Sequence, residues 1–108
     1  MDDTKYQHIG LIIIDEQKQL VSRYEGNFAD IYNFLDEDTL AKPEFILLSG
    51  INPYGDTYFN YLQAPTLNKE LLLVSENNND KTLNEEIVKT IDFLKKVESR
   101  QNAQFIGD

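Results

Sequence analysis

The spacing of apolar residues changes period several times along this chain, and each change marks an element. Residues 7–14 hold Ile9, Leu11 and Ile13 on one side of an extended backbone and Ile12 and Ile14 on the other. That pattern predicts a central strand buried on both faces. Residues 19–24 alternate Leu20, Ser22 and Tyr24 with Val21 and Arg23, the pattern of a more exposed strand, and the polar "DEQK" between the two runs predicts a hairpin. The period then becomes helical. Phe28, Ile31, Phe34 and Leu35 predict a helix that Asn27 caps by accepting a first-turn amide, with Asp30 near the positive end of its dipole. Asp36, Glu37 and Asp38 then fall at the far end of that helix, where the dipole disfavours negative charge.

"EFILLSG", residues 44–50, is short, apolar and closed by a glycine, so it predicts a third, buried strand. Beyond it, Pro53 and Tyr54 suit the centre of a turn and Gly55 a permissive backbone. Asp56 is a good helix cap for a segment from Thr57 that carries Tyr58, Phe59 and Leu62. Pro65 must kink that helix or open a second helical piece, in which Leu67, Leu71 and Val74 keep the period. Residues 75–82 are polar and read as a loop. Thr82 and Glu85 form a capping box before Leu83, Ile87, Ile91, Leu94 and Val97, with Glu85–Lys89 and Asp92–Lys96 as favourable pairs. Residues 103–107, "AQFIG", predict a last strand. The order is β-β-α-β-α-α-β, an α+β (α/β) fold in which a small mixed sheet is covered by helices, and residues 1–108 form one domain.

Charge adds a direction to this picture. The 108 residues carry 19 acidic and 10 basic side chains, a net charge of −9. Eleven of the acids and only four of the bases lie in residues 1–60. Such a field repels nucleic acid and anionic membranes, favours basic partners and accelerates their encounter. Solubility alone is the competing explanation. The chain has no cysteine, "MDDTKYQH" lacks the features of a secretory signal, and the longest apolar run is residues 11–14; a cytoplasmic, soluble chain is expected.

Candidate chemistry is sparse. No serine has a nucleophile elbow around it, and "SGINPYGD" lacks the glycine spacing and lysine of a phosphate loop. Glu16 and Lys18 imitate half of a metal-dependent nuclease site, but the upstream acids are Asp2 and Asp3, and a solvated turn accounts for the fragment. His8, the single histidine, reads as a surface strand residue with a hydrogen bond, and the acids around Asp36 and "NNND" do not follow calcium-loop order. No cofactor, metal or catalytic residue is expected.

What remains is recognition. Tyr54, Tyr58 and Tyr61 surround one turn, and tyrosine joins a large contact area to a polar tip, as interfaces require. Tyr58 and Phe59 cannot both point fully inward, so one aromatic should be exposed. Thr57, Asn60 and Gln63, with Asp56, form a polar cluster: a hydrogen-bonded brace if buried, a site if exposed.

"PYGDTYFNYLQ" (residues 53–63) and the terminal "FIGD" (105–108) resemble segments of a group of small, acidic, uncharacterised bacterial proteins. That resemblance implies no catalytic residue. In size, acidity and lack of chemistry the chain is similar to the immunity proteins that neutralise basic bacterial toxins, nucleases among them. The similarity implies a partner-binding face built from Asp36, Glu37, Asp38, Tyr54, Asp56 and Tyr58. Two other readings stand beside it: a regulatory or adaptor subunit for another basic protein, and a small enzyme or ligand-binding protein with a site around Asp56 and Asn60.

Overall fold

Four strands line up in the order β2-β1-β4-β3: β1 (Gly10–Ile14), β2 (Leu20–Arg23), β3 (Asp56–Asn60) and β4 (Asn102–Ile106). The computed structural model describes residues 6–107. Asp2, Asp3 and the Asp108 of "FIGD" lie outside them. Between β2 and β3 run two single-turn helices, α1 (Ala29–Tyr32) and α2 (Glu37–Leu40), and two 3-10 turns, Pro43–Phe45 and Leu48–Gly50. The long helices α3 (Ala64–Glu76) and α4 (Lys81–Leu94) join β3 to β4. The coarse order β-β-α-β-α-α-β therefore holds, as an α+β single domain. All the pairings are antiparallel rather than mixed. Two helices in succession return the chain to the end of the sheet it left, so β4 must run against β3.

One face of the sheet carries the core. Leu11 and Ile13 of β1, Ala103 and Phe105 of β4 and Phe59 of β3 bury themselves against Phe28, Ile31, Leu67, Leu71, Ile87 and Leu94. Phe105 anchors this layer, edge-on to Phe28 at 4.7 Å and to Phe59 at 5.8 Å between ring centroids. The β1–β2 hairpin is as expected: Asp15 Oδ1 accepts the amides of Gln17 and Gln19, and Lys18 takes a left-handed φ of 64°. Glu16 is exposed there, 3.7 Å from Arg100. His8 is exposed just before β1, outside the strand expected for it.

Two expected elements are exchanged. Residues 44–50 are not a strand: Phe45 and Leu48, three apart and so on the same side of a 3-10 path, are buried, while Ile46 between them is exposed. Pro43 opens the first of these turns and contributes no ladder donor. Residues 56–60 are a strand and not a helix start, so Asp56 caps nothing. Thr57, Tyr58 and Phe59 are β-branched or aromatic, and β4 offers them a full register from Asp56 opposite Ile106 to Asn60 opposite Asn102. Phe59 points inward and Tyr58 outward, the division of aromatics expected for this pair.

The helix ends also differ from expectation. Asp80, not Thr82, caps α4 by accepting the Leu83 amide, which starts the helix two residues early. Lys89 pairs with Glu86 at 3.4 Å instead of with Glu85, and Lys96 lies over the Phe93 ring instead of beside Asp92. Pro65 sits in the first turn of α3, where its missing N–H costs nothing.

Candidate functional site

The two segments singled out in the sequence meet at one end of the sheet. The Gly107 amide donates to the Gly55 carbonyl at 2.8 Å, extending the β3–β4 ladder past Asp56 and Ile106. A Cβ on Gly107 would lie 2.3 Å from the Pro53 carbonyl oxygen, so only glycine permits this backbone approach. The glycines of "PYGD" and "FIGD" are thus scaffold.

Of the polar cluster, most is brace. Thr57 Oγ1 accepts the Asn52 amide at 2.8 Å. Asn60 Oδ1 accepts the amides of Leu62 and Gln63 at 3.0 Å each, while Gln63 Oε1 accepts the Asn60 amide at 2.9 Å. Asn60 and Gln63 thereby close the turn that leads from β3 into α3. These side chains sit at the surface, yet their oxygens are engaged with their own backbone. Asp56 alone of the four is exposed with no hydrogen bond to its side chain in the described residues.

Beside the turn stands a tyrosine trio. Tyr6 packs edge-on to Tyr54 at 5.2 Å and tilted against Tyr32 at 5.6 Å. Asn33 holds Tyr6 there by accepting its amide at 2.9 Å and donating to its carbonyl at 2.7 Å. Asn27 does the same one step along the chain: it accepts the Ile9 amide, donates to the Gln7 carbonyl, and still caps α1 by accepting the Ala29 amide. Hydrogen bonding to the Tyr54 side chain, then burial, holds the Tyr6 phenol above its ordinary range. Burial does the same to Tyr32. Tyr54 itself is 69% exposed and forms the outer wall of the trio.

The acidic trio is placed differently from the sequence expectation. α1 ends at Tyr32, and Asp36 begins a new helix, α2, with its Oδ1 accepting the Thr39 amide at 2.8 Å. Asp36, Glu37 and Asp38 therefore lie at a helix N-terminus, where the dipole favours them. The Thr39 amide bond, more than any other influence, lowers the Asp36 pKa below the usual carboxylate range. All three residues are exposed, Lys42 is the nearest base in the chain, and Phe34 and Asp36 border a 450 Å³ cleft against Val74 and Asn77.

The expected face is thus divided. Asp36, Glu37 and Asp38 lie a few residues past Tyr32 in the chain, and Tyr32 packs on Tyr6, which packs on Tyr54. Asp56 and Tyr58 instead lie on the sheet face turned away from the helices, with Tyr58 47% exposed. Sequence reasoning also missed Glu70. Its carboxylate is 3% exposed and accepts the Leu47 amide at 3.1 Å and the Leu48 amide at 2.8 Å, fixing the irregular segment before β3. Buried Thr90 donates its hydroxyl toward Tyr24, whose phenol burial keeps above its ordinary range. Both positions fall on the apolar stripes of their helices, and that was the available signal.

Among the described residues no three His, Asp or Glu side chains converge as metal ligands would, and no helix is long and apolar enough to cross a membrane. Comparison with protein-family models, with curated proteins and with solved structures found no match to this chain.

Proposed function

We propose that this chain is a protein-binding module for a basic protein, acting as an immunity protein that neutralises a cationic toxin such as a nuclease by covering its phosphate-binding groove. One observation carries the reading: exposed Asp36, Glu37 and Asp38 sit without an ion-pair partner among the described residues, a few residues past Tyr32, whose ring belongs with Tyr6 and Tyr54 to one aromatic cluster. The carboxylates steer a cationic surface, over a range of about 8 Å at physiological salt. The tyrosines then supply contact area and a face for Lys or Arg. Rate and residence time thus come from separate residues.

An adaptor subunit for another basic protein would use the same face. A small enzyme around Asp56 and Asn60 is less well supported, because Asn60 and Gln63 already spend their side-chain oxygens on their own turn. The test is binding to the protein encoded by the gene adjacent to this one. Replacing Asp36, Glu37 and Asp38 by Asn, Gln and Asn should slow association about tenfold and leave dissociation nearly unchanged, whereas Tyr54→Ala should speed dissociation. An association rate that ignores the triple replacement removes the acidic face from the account.

A further inference from the structure

The helices cover one face of the sheet only. On the other, cross-strand register sets Arg23, Ile12, Gln104 and Tyr58 in one row across all four strands. Two residues along, Gly10, Ile106 and Asp56 make a parallel row. This face differs from the rest of the molecule in charge: its strand positions carry one cation, Arg23 on β2, and one anion, Asp56 on β3, at opposite edges of the sheet. It is a neutral, part-apolar patch on a chain of net charge −9.

We propose that this uncovered sheet face seats a second copy of the chain, the two sheets stacking about a two-fold axis that runs along the strands between β1 and β4. Such an axis lays β2 of each copy over β3 of the other. Arg23 then faces Tyr58 of the second copy in the same row and reaches the second copy's Asp56 about 7 Å further along the strand. Because the interface is isologous, the pairing occurs twice. The arrangement matches a cation to an aromatic face and a carboxylate at both edges and leaves Ile12 and Ile106 to the apolar middle. It also explains how two strongly acidic chains meet: they do so through a sheet face whose strand positions carry no net charge, while the Asp36 trio stays in solvent.

The sheet measures about 19 Å across its four strands and about 17 Å along them, so the footprint is below the ~800 Å² per partner of a standard interface. The dimer is therefore weak and reversible, and it forms without any other partner, which separates it from the function proposed above.

Sedimentation of the isolated chain from about 10 μM to about 1 mM should show the mean mass rising toward that of a dimer. Arg23→Asp and Asp56→Arg each set like charges opposite one another and should hold the chain at monomer mass across that range. The double variant, Arg23→Asp with Asp56→Arg, should restore the rise. Both side chains are exposed, and unchanged urea midpoints would confirm that the variants keep the fold. A wild-type chain that stays monomeric at the highest concentration, single variants that associate as wild type does, or a double variant that remains monomeric would each overturn the proposal.

Discussion

Glu70 and the trio Asp36, Glu37 and Asp38 present the same functional group under opposite conditions. Glu70 is enclosed by the core and has given both oxygens to backbone amides of an irregular segment. In the trio only Asp36 makes a hydrogen bond, to the first turn of its own helix, and Glu37 and Asp38 stand in water. A carboxylate needed by the fold is recognisable by its donors, and those without donors remain free for something outside the chain. The contrast can be broken by removing each in turn.

The largest effect belongs to Glu70→Ala. It orphans two buried amides and leaves a cavity under the 3-10 turns, and a loss of about 3 kcal/mol or more is expected from urea unfolding. Glu70→Gln keeps one good acceptor and should cost about half as much. Asn27→Ala comes next: it removes the α1 cap and the clamp on residues 7–9, an expected loss of about 1–2 kcal/mol.

Alkaline pH sharpens the comparison from the phenol side. Tyr6, Tyr24 and Tyr32 have folded pKa values raised from 10.0, so the folded state holds their protons more tightly than the unfolded state does. Their contribution is complete below pH 10 and is lost as pH climbs through the raised values. Absorbance titration near 295 nm should resolve late-ionising phenols in the folded chain, and Tyr24→Phe should lessen the alkaline loss of stability. Smallest of all is the effect of replacing Asp36, Glu37 and Asp38 by Asn, Gln and Asn. An asparagine side chain at the head of α2 still accepts the Thr39 amide, so the urea midpoint should barely move.

Where the apolar period was long, the sequence was legible. The central β1, the hairpin, α3, α4 and the returning β4 are all apparent from spacing, but β1 is not fully buried on both faces as expected: Ile12, on the face away from the helices, is only half-buried. It failed where local chemistry and tertiary context pulled apart. "EFILLSG" has strand-like composition, but Pro43 and the Glu70 carboxylate hold it in turns, and an acceptor 22 residues away from Leu48 is invisible to local pattern. "DTYFN" carries a helix-cap aspartate, yet its alternation of Thr57 and Phe59 with Tyr58 answers to β4. Glu70 and Thr90 were readable in principle, as polar residues on otherwise apolar stripes. Of the candidate face, the sequence offers Tyr54 and the acidic trio, whereas Tyr6 and Tyr32, far apart in the chain, become neighbours only through Asn33 and the fold.

The salt dependence of association tests the central claim most directly. If the Asp36 trio steers a cationic partner, the association rate with the product of the adjacent gene should fall steeply with ionic strength for the wild-type chain and clearly less steeply for the Asn, Gln, Asn variant. Identical slopes for the two proteins, or no complex at low salt, would contradict it.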